Sequence, residues 1–166
     1  MRRSGVLLPV TSLPSRFGIG TFSKEAYAFV DFLKEAGQKL WQILPLGPTG
    51  YGDSPYQAFS TFAGNPYLID LEELIENGWL TEEECENTDW GGSKSYVDYE
   101  KMYQGRFPLL RKAYHNSHIA ENAEFIAFCE ENDWWLSDYA LFMAIKDSQG
   151  GASFLEWDAP LKLREP

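Results

Sequence analysis

The sequence predicts an α/β fold in which one strand–helix–strand unit is followed by a long, mainly helical segment. Two short runs rich in valine, leucine and isoleucine, at residues 6–10 and 40–46, are bounded by proline, glycine or polar residues, as buried strands usually are. Apolar residues recur at helical spacing between these runs, and helical patterns dominate after residue 70. We therefore divide the chain into a region 1–70 and a mainly helical region 71–166.

The first region contains the elements of a βαβ unit. A strand at 6–10 is followed by Thr21 or Ser23 as the N-cap of a helix, and Gly37 stands where a helix commonly ends. A second strand covers 40–46. The helix has an amphipathic stripe, formed by Phe22, Ala26, Phe29, Val30 and Leu33. This order of elements predicts two parallel strands joined by a right-handed crossover.

The second region begins with two capping-box patterns. Asp70 is followed three residues later by Glu73, and Thr81 is followed by Glu84. Gly78 lies where the first of these short helices should end. We expect two short helices in succession.

Longer helices are predicted at 99–114, 119–131 and 135–148. Pro108 should kink or split the first of them. That helix has its aromatic and apolar residues on one stripe, formed by Tyr103, Phe107, Leu110 and Tyr114. In the last helix, helical spacing favours core positions for Trp134, Trp135, Tyr139 and Phe142.

A long aromatic loop, residues 46–71, follows the second strand. It lacks the period of a helix or a strand, and it interleaves aromatic rings with glycine, asparagine, serine and aspartate. Irregular connections of this length are uncommon in compact domains and are often binding loops. Aromatic faces beside hydrogen-bonding groups suit a sugar, and α/β folds bind ligands at the carboxyl ends of strands. The residues alone support equally a loop held to its own core by buried rings.

Composition and charge exclude several classes of protein. Aromatic residues make up 16% of the chain and charged residues 23%, which is typical of neither a disordered protein nor a coiled coil. The net charge of −11, with acidic clusters at 72–86 and 121–138, disfavours nucleic acid as a partner. The simplest interpretation of these clusters is a solvated acidic surface.

The cysteines and histidines predict neither a disulfide nor a metal site. Cys85 and Cys129 form no CxxC motif and are interpreted as free thiols of a reducing compartment. His115 and His118 have no third ligand nearby in sequence. No apolar run approaches 18 residues and none follows the N-terminal arginines, so we expect neither a membrane span nor a signal peptide, and a cytoplasmic protein.

Three stretches resemble one family. They are GVLLPVTSLPS at 5–15, KLWQILPLGPTGYGDSPYQAFSTFAGNPYLIDL at 39–71 and WWLSDYALFMAIKDSQGG at 134–151. The chain is similar to bacterial amylomaltase, a 4-α-glucanotransferase of the α-amylase clan, also called disproportionating enzyme. The resemblance implies the start of a (β/α)₈ (TIM) barrel, with 6–10 and 40–46 as its first two strands and an inserted helical subdomain after them. A barrel needs about 250 residues, so this chain would hold its first quarter.

The resemblance also implies which residues contact substrate. Tyr51, Ser54 and Tyr56 match family positions that contact the glucan, and Tyr51 with Tyr103 matches a second glucan site away from the cleft. Buried roles compete for two of them, with Tyr56 as a loop anchor and Tyr103 on an apolar helix stripe. Asp53 is interpreted as a turn-former rather than an acid. The three catalytic carboxylates of the family would lie beyond residue 166, so no catalytic residue is assigned.

The implied activity is transfer of α-1,4-glucan segments between maltodextrins with retention, without a cofactor or metal. The partners would be α-1,4-glucans and maltooligosaccharides. Two alternatives remain open, a stand-alone non-catalytic glucan-binding module and an inert truncation. Two parallel strands also leave open edges, so the chain is expected to self-associate through them.

Overall fold

A computed structural model describes residues 2–50, 52–93 and 95–165. These residues form two compact units, Met1–Ile119 and Ala120–Pro166. The sequence-based division at residue 70 reflects a change of element type rather than compactness, and it stays a prediction. The strands are β1 (Gly5–Leu7) and β2 (Leu40–Gln42), and the helices are α1 (Lys24–Glu35), α2 (Leu71–Glu76), α3 (Glu82–Glu86), α4 (Tyr99–Ser117), α5 (Ala123–Ser148) and α6 (Ala159–Leu163).

The two strands pair in parallel, as predicted, with Val6 opposite Trp41. Both are shorter than the predicted strands at 6–10 and 40–46. Pro9 and Pro45 lie within those ranges, and a proline has no N–H to donate to a strand ladder. After Pro9 the chain turns into a short 3₁₀ helix that starts at Val10.

Helix α1 covers one face of the strand pair. Its N-cap is Ser23, whose hydroxyl accepts a hydrogen bond from the Glu25 N–H, and Gly37 follows its end with a positive φ of 72°. Phe29 of α1 packs edge-on against Trp41 of β2, with ring centroids 5.0 Å apart. Leu7 projects from the strand pair with more than half of its surface exposed. The predicted uncovered strand face is therefore present, and self-association through it stays a prediction.

The short helices begin at the predicted caps. Thr81 and Glu84 form the complete reciprocal capping box of α3. At α2 the Asp70 carboxylate accepts from the Glu72 N–H, an N-cap bond made to a different residue from the predicted Glu73. Gly78 follows α2 with a positive φ of 73°, as expected for a C′ glycine.

Replacement of Glu84 by glutamine should lower the melting temperature slightly near neutral pH. Hydrogen bonds from Lys112 and from the Thr81 N–H lower the pKa of Glu84 from 4.5 to about 2. A carboxylate whose pKa is lower in the folded state stabilises the fold at pH values above its unfolded-state pKa. That stabilisation disappears as the pH falls through the folded-state pKa. Glutamine keeps the capping-box geometry but loses the charge.

Melting curves of wild type and Glu84→Gln between pH 2 and pH 7 would test this prediction. The difference in melting temperature between the two proteins should be constant above about pH 5 and should fall to zero between about pH 4.5 and pH 2. A pH-independent difference would show that the ion pair contributes nothing.

Helix α4 continues through Pro108 without a break, so the predicted split is wrong, while the alternative of a kink stays a prediction. Its buried residues are Met102, Arg106, Leu109 and Ala113. This stripe lies one position before the predicted aromatic stripe and packs among residues from α2, α3 and the segment around Phe17. Pro108 has no N–H, so α4 lacks one helical hydrogen bond. The packing of its buried stripe offsets the free-energy cost of that missing bond.

The second unit is built on one long helix, α5, where two helices were predicted. Residues 132–134, between the two predicted helices, contain neither glycine nor proline. The side-chain amide of Asn132 donates a hydrogen bond to the Phe128 carbonyl of the same helix. The predicted core role of Trp134 is wrong, since 68% of its surface is exposed. The buried ring of this unit is Trp157, which packs against Phe142 with centroids 5.3 Å apart.

Over the described parts of the chain, no helix combines the length and apolar character needed to cross a membrane.

Candidate functional site

The aromatic loop folds back on itself. Its two arms are joined by the Asn65 N–H, which donates to the Leu46 carbonyl over 2.8 Å, and by an antiparallel bridge between Thr49 and Ala58. A segment whose ends meet and which packs on its own side chains resembles an Ω-loop, although this one is longer than the usual length of about 6–16 residues. The loop therefore has a defined shape, and its returning arm contains the short 3₁₀ helix Pro66–Leu68.

Two glycines allow the close approach of the loop arms. A Cβ on Gly50 would lie 2.8 Å from the Phe59 ring, and a Cβ on Gly47 would lie 2.9 Å from the Ala58 methyl carbon. Larger residues would force these arms apart. Gly47 and Gly50 thus serve the internal packing of the loop.

Asp53 forms the turn at the tip of the loop. Its φ is 51°, in the left-handed region that aspartate tolerates better than most residues, and its N–H donates to the Gly50 carbonyl over 3.0 Å. The Thr49 hydroxyl donates to the Asp53 carboxylate over 3.3 Å. Burial raises the pKa of Asp53, and the bond from Thr49 partly opposes that shift. Asp53 therefore lies in a turn, as predicted, and its carboxylate accepts from the Thr49 hydroxyl rather than from its own backbone.

A cavity of about 240 Å³ lies beyond the carboxyl ends of both strands. Residues 9–11, which follow β1, and residues 44–46, which follow β2, line it together with Pro55 of the loop and Tyr99 at the start of α4. Its polar lining groups are Thr11, Thr49, Asp53, Asn65 and Tyr99. The cavity thus has apolar walls with hydroxyl, amide and carboxyl groups between them.

The phenols near the cavity remain protonated at neutral pH. Burial is the main cause of the raised pKa of Tyr67, to about 12, and of the raised pKa of Tyr99. The negative charge of Asp53 adds to both shifts. Both side chains can therefore donate hydrogen bonds.

The predicted substrate-binding residues are placed as follows. Tyr56 is 73% exposed and follows Pro55, so a role as a buried loop anchor is wrong. Ser54 is half-buried, and its hydroxyl accepts from the Tyr56 N–H over 3.4 Å. Tyr103 on α4 is 55% exposed, which removes it from the buried stripe of that helix. Tyr51 lies outside the described residues.

The structure joins Ser54 to Tyr56 through the hydrogen bond between the Ser54 hydroxyl and the Tyr56 N–H. Within the described residues, no hydrogen bond or ring contact joins Tyr103 to either of the two. Tyr103 packs edge-on against Phe107, with centroids 5.3 Å apart, and Phe107 lies 5.8 Å from Tyr67 of the aromatic loop. A continuous row of rings therefore connects α4 to the loop.

Sequence reasoning missed Thr11, Thr49, Asn65 and Tyr99 as lining residues. Thr11 and Thr49 follow the ends of the two predicted strands, and that position was the available signal. Tyr99 carries no comparable signal, because only the packing of α4 brings it to the strand ends.

Comparison with known proteins identifies the family of this chain. Residues 8–166 match the family described as 4-alpha-glucanotransferase. The chain belongs to the 4-alpha-glucanotransferase family. Its sequence is 49% identical to the 4-alpha-glucanotransferase of Thermus thermophilus over 99% of this chain and 33% of that protein. The 4-alpha-glucanotransferase of Clostridium butyricum is 47% identical over 94% of this chain and 32% of its own length.

A solved structure extends the likeness to the fold. The amylomaltase from Streptococcus agalactiae in complex with acarbose is 46% identical and superposes with a TM-score of 0.91, covering all of this chain and 34% of that one. The chain thus spans about a third of the length of these 4-alpha-glucanotransferases and adopts the fold of the corresponding part of an amylomaltase. The resemblance inferred from the three sequence stretches is confirmed.

Proposed function

We propose that this chain forms the first strand–helix–strand unit of a (β/α)₈ barrel and a glucan-binding surface of a 4-α-glucanotransferase. The whole enzyme would transfer α-1,4-glucan segments between maltodextrins with retention. Family membership supports the reaction class. The observation that carries the assignment of the surface is the cavity at the carboxyl ends of two parallel strands, where α/β barrels bind their substrates.

The side chains around the cavity suit a sugar. Exposed Tyr56 offers an aromatic face, while Ser54 and the lining groups Thr49 and Asn65 offer hydrogen-bonding atoms. Apolar lining residues would favour a sugar hydroxyl over water as acceptor, because they bind the sugar ring and leave little room for ordered water. The acarbose bound in the Streptococcus agalactiae amylomaltase supports a glucan-type ligand for this chain too.

The catalytic carboxylates are proposed to lie outside residues 1–166. Retaining transfer needs one carboxylate as nucleophile and a second as acid, about 5–5.5 Å apart. Among the described lining residues Asp53 is the carboxylate, and its bonds to Thr49 and Gly50 assign it to the turn. The residues of this chain would therefore bind and orient the glucan.

A stand-alone glucan-binding module is the second candidate. The exposure of Tyr56 and Tyr103 favours it, because both rings are available without further residues. We also propose a cytoplasmic location, supported by Cys85 and Cys129, which are both free thiols.

Two measurements would test the proposal. The 166-residue chain should bind maltoheptaose but not cellohexaose, whose β-linked chain has a different shape. The protein expressed from its whole reading frame should convert maltotriose to glucose and longer maltodextrins. If the chain binds maltoheptaose but the whole protein does not convert maltotriose, the stand-alone glucan-binding module is favoured. If neither binding nor conversion is detected, the inert truncation is favoured.

A further inference from the structure

Arg106 is an unusual residue for the centre of a helix stripe. It lies on α4 between Met102 and Leu109, and only 1% of its surface is exposed. It is the largest fully buried side chain that the structure describes. Within residues 2–50, 52–93 and 95–165, its Nε and Nη1 atoms have no hydrogen-bond acceptor.

A buried guanidinium at this position carries a desolvation cost. Burial lowers the pKa of Arg106 to about 10, and the nearby Asp70 carboxylate counters only part of that shift. Buried charges are often replaced by apolar side chains of similar volume without loss of stability. A methionine or leucine would continue the apolar stripe formed by its neighbours on α4.

The contact made by Arg106 lies at the end of the aromatic loop. Its Nη2 donates to the carbonyl of Ile69. Ile69 ends the short 3₁₀ helix Pro66–Leu68, which begins directly after Asn65, the residue that closes the loop onto Leu46. Arg106 therefore ties the returning arm of the loop to α4.

The same helix carries Tyr103, one turn before Arg106. The row of rings from Tyr103 through Phe107 reaches Tyr67, which lies within that returning arm. Tyr99, on the same helix, lines the cavity together with Pro55, the neighbour of Tyr56. A shift between α4 and the loop would thus change the spacing of the two exposed tyrosines.

We propose that Arg106 is a positioning residue for glucan binding, which holds the aromatic loop and α4 in the register that lets one glucan chain contact Tyr56 and Tyr103 together. This inference rests on the proposed function. Under this proposal a long glucan contacts both tyrosines, whereas the three glucose units of maltotriose contact one of them. The affinity for long glucans should therefore depend on Arg106 more than the affinity for maltotriose does.

The test compares Arg106→Met and Arg106→Lys with wild type in the full-length protein. Binding of maltoheptaose and maltotriose and the melting temperature are measured on the same preparations. Arg106→Met should weaken maltoheptaose binding by about tenfold, since small misplacements of binding groups can have effects of that size or larger. Arg106→Lys keeps the charge but loses the planar fork of the guanidinium. Its affinity for maltoheptaose should therefore lie between those of wild type and Arg106→Met. Maltotriose binding should change by less than about twofold in both variants.

Met102→Leu is the matched control, because it alters the same buried stripe one turn earlier. It should change the melting temperature without changing the ratio of the two affinities. Equal weakening of both ligands, or unchanged binding by a folded Arg106 variant, would overturn the inference. If Arg106→Met does not fold, the ratio of maltoheptaose to maltotriose affinity in Arg106→Lys provides the test. A wild-type protein that binds neither sugar would instead refute the proposed function, and this inference with it.

Discussion

The isolated 166-residue chain is expected to show no transferase activity on maltotriose. Formation and resolution of a glycosyl intermediate require two carboxylates that flank the scissile bond. Among the described residues lining the cavity, the carboxylate is Asp53, which is bound to Thr49 within a turn. Incubation with maltotriose and chromatography of the products should therefore detect neither glucose nor longer maltodextrins above a protein-free blank.

Asp53→Asn provides the control for this experiment. Asparagine also tolerates a positive φ and can accept the bond from the Thr49 hydroxyl, so the turn should be kept. Turnover that survives purification and disappears in Asp53→Asn would make Asp53 a catalytic acid and overturn the assignment of catalysis to residues outside this chain.

If the proposed function is right, Tyr56→Ala should lower kcat/KM of the full-length protein by roughly tenfold. The variant removes an aromatic face, a contact worth up to about 1.5 kcal/mol, and each 1.4 kcal/mol corresponds to about tenfold in kcat/KM. Because 73% of Tyr56 is exposed, its loss should leave the melting temperature nearly unchanged. Kinetics with maltodextrins and thermal melting on the same preparations would measure both quantities.

Tyr27→Ala is a matched control for the loss of an exposed tyrosine. Tyr27 lies on α1 with 75% of its surface exposed, away from the lining of the cavity. It should change neither kcat/KM nor the melting temperature. If Tyr56→Ala lowers the melting temperature and leaves kcat/KM of the folded protein intact, the aromatic loop is not a binding loop.

The predicted binding residues differ in how well they could be inferred. The aromatic loop was recognisable from its composition and length, and the turn at Asp53 from its neighbours Gly52 and Ser54. Ser54, Tyr56 and Tyr103 came from the family resemblance, and their contact with glucan stays a prediction. The positions of Thr11 and Tyr99 in the lining of the cavity were not inferred. These residues are 88 positions apart in the sequence and meet only in the folded chain.

The sequence by itself determined the features that depend on near neighbours. Thr81 caps its helix with a hydrogen bond to a residue three positions away, and Ser23, one of two predicted candidates, caps α1. Gly37 and Gly78 follow helix ends with positive φ. These arrangements involve short segments whose backbone geometry is limited to a few conformations. Local chemistry is therefore enough to predict them.

Only the tertiary structure decided which faces are buried. On α4, the stripes containing Met102 and Tyr103 are both plausible by spacing, and the packing of Phe17, Leu71 and Cys85 selected the first. The same packing buried Arg106 and left Tyr103 exposed. Burial depends on which distant segments meet, and their free energies of contact exceed the small differences in local preference between adjacent stripes.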